Sequence, residues 1–234
     1  MSEPDRNPSL KSERTRLRRA HKKGVYDRET LYALLDDFPL CHVGYIENGV
    51  PYVTPTLQWR EADRVYWHGS SKSRAILSAA GQPVCLTATR LDGLVLARSG
   101  FEHSVNHVSA MIFGTPAIIK DPDQKRSHLK RMFDHLYPGR WEQLRPMSEA
   151  ELKATAVIGM DITEASVKLR SGPSDEPDKD RSWPVWGGTI PISTTTAQAV
   201  PDASNQVPLP DYLKQFSFCR AFETERRANG QTAD

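Results

Sequence analysis

The chain has 234 residues, 38% of them hydrophobic and 26% charged, with 31 basic against 29 acidic side chains for a net charge of +2. So even a balance does not by itself imply a nucleic-acid partner, and no run approaches the roughly 18 apolar residues of a membrane-spanning helix. Cys41, Cys85 and Cys219 are few, odd in number and far apart, which excludes a disulfide framework and fits a reducing compartment. The beginning of the chain carries no signal-peptide pattern, so a cytoplasmic protein that needs no membrane is the expectation.

Residues 1–24 hold eight Lys or Arg against three Asp or Glu and read as a basic, flexible, solvated arm; nucleic acid is not the expected partner. A body follows over residues 25–192. "DRETLYALLDDF" predicts a short helix, with Asp27 as N-cap and Leu31, Leu34 and Leu35 on one face. The period then changes to two. "LCHVGYIENGVPYVTPTLQW" predicts two strands around Asn48-Gly49, a dipeptide suited to a tight hairpin because both central residues need positive φ. "DRVYWHG" continues as a third strand after the Glu61-Ala62-Asp63 turn, and "SKSRAILSAAG" reads as a helix of two to three turns ended by Gly81. "PVCLTATRL" is a strand, and "SVNHVSAMIFGTPAIIK" is one long strand or two joined near Gly114-Thr115-Pro116.

Asp121-Pro122 opens a longer helix with Leu129, Met132, Phe133 and Leu136 at helical spacing, and Gln124 stands where a capping box wants it. Ser148-Glu149-Ala150-Glu151 is a second capping-box signature before a short helix. "AVIGMDITEASVKLR" returns to strand, and "VWGGTIPI" supplies the last. Residues 193–234 are rich in Thr, Ala, Pro, Asp and Gln and read as an extended or weakly structured tail, in which "DYLKQFSFCRAF" is a helix that docks on the body or on a partner. Consecutive β-runs with helices inserted between them predict a mainly β fold, an antiparallel barrel with peripheral helices.

"YWHGSSKSRAI" turns from strand to helix through Gly69, three serines, Lys72 and Arg74. These residues alone fit two readings: a solvated connector with ordinary caps, or a loop that holds an anion such as a cofactor phosphate. Pro55 within a strand fits either a plain edge or a ligand-facing edge, since it cannot donate to a ladder. Other constellations are weaker. His103 and His107 have no third ligand at a metal spacing, and Cys41 and His42, adjacent in a strand, face opposite sides and cannot act as nucleophile and base.

With "PYVTPTLQW", "VYWHGSSKSRAI", "SVNHVSAMIFG", "SVKLRSGP" and "WPVWGGTIP" in this order, the chain resembles the FMN-binding split-barrel superfamily. Within it the likeness is to pyridoxamine 5'-phosphate oxidase-like proteins of the nitroimidazole-resistance and flavin-nucleotide-binding type, over residues 14–192. The resemblance implies a six-stranded antiparallel split barrel that forms a homodimer with FMN at each subunit interface. It places Ser73 and Arg74 on the phosphate, His68 and Gly69 at the strand-end pair, and Pro55, Thr56 and Leu57 along the ring. Ser109 matches a polar FMN contact, Lys168 lies on the strand that reaches across the dimer with Arg170 on the same face, and Trp186 walls the ring or the substrate. For Trp183 core packing is the expected role.

Two departures bear on the reaction. Gln58 stands where the oxidases carry a Lys, and Val53 where they carry an Arg, so both substrate-phosphate cations are missing and pyridoxamine phosphate is not the expected substrate. A small neutral or aromatic acceptor (a nitroaromatic, quinone or enone), reduced with electrons from NAD(P)H, fits better, with His68 a candidate proton donor. A non-catalytic flavin or heme carrier or sensor is the alternative, and deazaflavin is a rival cofactor.

Overall fold

A computed structural model describes residues 9–18, 24–214 and 216–218. The first helix, α1 (Arg28–Asp37), starts where Asp27 accepts from the Thr30 amide at 2.7 Å and buries Leu31, Leu34 and Leu35. Strands β2 (Leu40–Glu47) and β3 (Val50–Glu61) form the hairpin, with Asn48 and Gly49 at φ 51° and 78°. Ala62, at φ 48°, turns the chain into β4 (Arg64–Ser70). Helix α2 is shorter than its sequence suggests, only Arg74–Ala79, because Ser73 and Ala80 are both extended.

The long strand β5 (Val84–Leu96) carries a bulge between Leu91 and Gly93 and pairs with β6 (Ser104–Gly114). The run after Gly114 breaks, and a separate short strand β7 (Ala117–Ile118) follows. Helix α3 (Pro122–Leu136) is capped by Asp121, and α4 (Glu149–Ala154) by the reciprocal Ser148–Glu151 box. Strands β8 (Thr155–Asp161) and β9 (Glu164–Arg170) come next, then β10 (Gly188–Pro191), while β1 (Gly24–Val25) pairs with β9.

The result is mainly β, with one ten-stranded antiparallel ladder ordered β1-β9-β6-β5-β2-β3-β4-β8-β7 and β10 added to β5. It curls around a core that includes Val43, Val65, Trp67, Leu86, Ile112, Ile158 and Val167. Six strands in a closed barrel do not describe it. The short strands β1, β7 and β10 extend the ladder, and Ile162-Thr163 links β8 to β9 without pairing between them, so the sheet stays open. A second cluster, with Trp59, Tyr66, Leu129, Met132 and Val157, seats α3 and α4 on the back of β3, β4 and β8.

The described parts of the basic arm and of the tail both touch this body. Within the basic arm, Leu10 is 1% exposed inside the core, and Arg14 pairs with Glu164 and lies over the Phe113 ring at 4.9 Å. That portion is docked, because a single apolar side chain finds the open end of the sheet. The tail from Ser193 is irregular until α5 (Asp211–Lys214), whose Tyr212 hydroxyl meets Arg140 at 3.3 Å and Gln143 at 3.1 Å. Phe216 stacks on Tyr137 at 6.1 Å, so this segment docks on the body; its Cys219 lies outside the described residues. Among the described residues no helix is long and apolar enough to cross a membrane.

Candidate functional site

Strand β3 changes partners along its length. It pairs with β2 from Glu47↔Val50 to Leu40↔Leu57, but with β4 only from Glu61↔Arg64 to Gln58↔Trp67. Beyond Trp67, β4 keeps only β8 as partner. A cavity of about 200 Å³ opens in this gap, lined by Thr54, Pro55 and Thr56 on one side and Trp67, His68 and Gly69 on the other. Val43 and Tyr45 of β2, with Ser73, Ala75 and Ile76 of α2, complete the wall.

The proline in β3 is explained by register. The Gln58 amide donates to the Pro39 carbonyl at 2.8 Å, and in an antiparallel pair hydrogen-bonded positions alternate. Counting back, Thr56 and Thr54 turn their backbone groups toward β2, whereas Pro55 and Val53 turn theirs toward the gap. Pro55 therefore sits where its missing N–H interrupts no β2–β3 bond, on the edge that faces the cavity.

At the far side, the Ser70–Ser73 loop is tied by its own backbone. The Ser71 amide donates to Ala154 at 2.8 Å and the Ser73 amide to Ser70 at 2.9 Å. Ser73 occupies the N-cap of α2, yet its hydroxyl makes no capping bond, and the first-turn N–H groups of a helix have no acceptor within it. Gly69 lets α2 close on β4, since a Cβ there would stand 3.2 Å from Ile76 Cγ1. Arg74 is not on the cavity wall. Its Nε lies 3.5 Å from Glu47 Oε2, and its guanidinium covers the Tyr52 ring at 4.7 Å; Tyr52 in turn stacks on Tyr45 at 5.6 Å.

His68 presents a half-buried imidazole whose Nδ1 is buried with no hydrogen-bond partner. Burial pushes its pKa below the usual histidine value, so the ring is neutral at neutral pH. Leu57 directs its side chain into the second cluster, away from the cavity. Gln58, in place of the oxidases' lysine, is fully buried and donates from Nε2 to the carbonyls of Leu35 at 2.6 Å and Phe38 at 3.2 Å, closing the end of α1.

The remaining expected residues lie elsewhere in the same chain. Ser109 and Lys168 face each other across β6 and β9, on the outer face of the sheet. Four ladder steps along the sheet (β9–β6, β6–β5, β5–β2 and β2–β3) separate Lys168 from Pro55. Arg170 is engaged with Asn106 Oδ1 and the Pro173 carbonyl. Trp186 and Trp183 are 64% and 65% exposed just before β10, so Trp183 is not a core residue. Tyr45, Thr54 and Trp67, absent from the sequence reading, are recoverable from it: Val43 and Tyr45 share one face of β2, and Thr54 the face of Thr56 on β3.

The sequence model of the family described as pyridoxamine 5'-phosphate oxidase matches residues 27–169. The solved flavocytochrome Anf3 from Azotobacter vinelandii is 45% identical, with a TM-score of 0.85 over 88% of this chain and 97% of that one. A FAD and heme binding protein from Mycobacterium smegmatis is 33% identical, with a TM-score of 0.80 over 85% and 100% of the two chains. A putative 5-nitroimidazole antibiotic resistance protein from Bacteroides thetaiotaomicron shares the fold at 22% identity, with a TM-score of 0.54 over 62% and 86%. No curated protein matches. The chain belongs to the pyridoxamine 5'-phosphate oxidase-like family of flavin-binding split barrels.

Proposed function

We propose that the chain is a flavin-dependent redox protein whose flavin ring enters the gap between β3 and β4. The observation that carries this reading is the cavity itself: an unpaired strand edge at Pro55 faces an aromatic and apolar wall, beside a serine hydroxyl left free of its helix cap. The donor set suits a flavin nucleotide, which needs a flat slot, backbone groups for its polar edge, and hydroxyl and cationic partners for its phosphate. When bound, a flavin supplies hydride-accepting and one-electron chemistry. The protein's part is to orient and to exclude water. Tyr45 and Trp67 wall the slot, Thr54 and Thr56 flank the edge, Ser73 holds the phosphate end, and Arg74 supplies positive charge. His68, neutral through burial, can hydrogen-bond or take up a proton only at Nε2, because its buried Nδ1 has no partner with which to exchange one.

The site is completed by a second copy of the chain. Val53 at 68% exposure, Ile46 at 54% and Met111 at 44% lie on the outer sheet face that also carries Ser109 and Lys168, an apolar surface suited to a two-fold contact. Electrons from a reduced nicotinamide would then reach a small neutral or aromatic acceptor, as the loss of both substrate-phosphate cations suggests. Steady-state oxidation of NADPH by the flavin-loaded protein with a quinone tests this. Turnover above that of free flavin is expected, and flavin occupancy without turnover would overturn the enzymatic part. His68→Ala should slow turnover while flavin stays bound; an unchanged rate would remove His68 from the chemistry.

A second reading, with heme as an additional redox group, is favoured by the likeness to two flavin- and heme-binding proteins over most of both chains. His42, exposed on the outer face of β2 opposite Pro55, is the imidazole we would assign to the iron. A Soret band in heme-reconstituted protein, lost in His42→Ala, is the expected result.

A further inference from the structure

We propose that Glu47 sets the charge accepted at the phosphate end of the site, by competing for Arg74 and so disfavouring the dianionic phosphate of FMN against the diphosphate of FAD. The inference rests on the flavin reading above and deepens it. Glu47 is the last residue of β2 and is paired with Val50 across the Asn48–Gly49 turn, so its backbone is fixed. The Ser78 hydroxyl of α2 donates to its Oε1 at 2.9 Å, while Oε2 faces Arg74 Nε at 3.5 Å. The carboxylate is thus anchored from one side and presents its charge to the arginine from the other. Arg74 is also spread on Tyr52, which leaves its outer edge for a ligand.

The local charge is then low. Lys72 and Arg74 are the only cations in the Gly69–Ala75 stretch, Ala75 follows the arginine, and Glu47 offsets one of the two. A phosphate monoester carries about −1.5 to −2 at neutral pH and concentrates that charge on one phosphorus. Each phosphorus of a dinucleotide's diphosphate carries one negative charge, so the phosphate held at Arg74 meets less repulsion from the carboxylate while the second charge lies farther from Glu47. Riboflavin has no phosphate and is indifferent to Glu47.

Equilibrium dialysis of flavin-free protein against riboflavin, FMN and FAD, for wild type and Glu47→Gln, tests the idea. The amide keeps the shape and the Ser78 contact while removing the charge. Wild type is expected to bind FAD about tenfold more tightly than FMN, and Glu47→Gln to bring FMN within about twofold of FAD, on the scale of one screened charge pair. Riboflavin affinity should be the same in both proteins, and added salt should shrink the FMN gain. An unchanged FMN-to-FAD ratio, or a riboflavin shift as large as the FMN shift, overturns the proposal. Failure of wild type to bind any of the three flavins overturns the underlying flavin reading instead.

Discussion

Gly159 shows how closely single residues are fitted behind the cavity. It pairs with Tyr66 across β8 and β4, and a Cβ at this position would stand 2.4 Å from the Tyr66 ring. The ring therefore lies flat over the glycine, where it stacks with Trp59 at 5.7 Å and meets His128 at 4.4 Å. Gly159→Ala should destabilise the fold by about 1–3 kcal/mol, the usual cost of overpacking, read as a lower denaturation midpoint at unchanged slope. Arg74 makes the opposite case, since little of the fold depends on it. Arg74→Ala should weaken flavin phosphate binding by about tenfold or more, as loss of a charge-assisted contact does, with little change in melting temperature. Affinity for riboflavin, compared with affinity for FMN and FAD, separates that effect from general damage. The fit at Gly159 is not visible in sequence alone, because it depends on the residue the opposite strand supplies, whereas Arg74 is the phosphate cation that the resemblance implies.

At the scale of elements, α1, the Asn48-Gly49 hairpin and the Ser148 capping box are legible because each is written in local residues with fixed spacing. Helix α2 is not, since its length depends on the extended backbone at Ser73 and Ala80. The contact between α3 and the β3–β4 hairpin is equally hidden. Glu61, at the end of β3, accepts from Trp59 Nε1 and His128 Nδ1, each at 2.9 Å, and from Arg131. Burial pushes the Glu61 carboxyl up, but these three donors together outweigh it and hold the pKa below the ordinary value. A carboxyl lowered in the folded state contributes stability above its unfolded pKa, about 4.3, and loses it as pH falls through the folded value. His68 acts in the same direction at higher pH. Its folded pKa lies below the unfolded value, so the stability it contributes is complete above about 6.5 and declines as pH falls. Thermal unfolding of the flavin-free protein should therefore weaken in two stages on acidification. His68→Gln should flatten the stage between neutral pH and pH 5, and a pH profile identical to wild type would contradict the assignment.

For the whole molecule, the ordered motifs from "PYVTPTLQW" to "WPVWGGTIP" point to the right family over most of the body, and a family match over residues 27–169 supports that reading. What they do not convey is the open ladder or the separation of the site residues. Pro55, Thr56, His68, Gly69 and Ser73 gather at one cavity, while Ser109, Lys168 and Trp186 stand away from it on the outer face and the β10 side. Sequence order cannot distinguish residues that meet within one chain from those that would meet across two. If two copies share each site, Arg74→Ala chains and Trp186→Ala chains fail separately but complement each other. Their mixed dimer would hold one site with both residues intact, and co-expression should restore flavin binding to that site. A lack of restoration would mean that each chain builds its site alone.

The first experiment is the visible absorption spectrum of the purified protein, taken across its size-exclusion peak and again after incubation with FMN and FAD. Flavin bands that travel with the protein at a dimeric mass, and that fall away in Arg74→Ala, are the expected result. A protein that elutes colourless and takes up neither nucleotide would contradict a flavin site between β3 and β4.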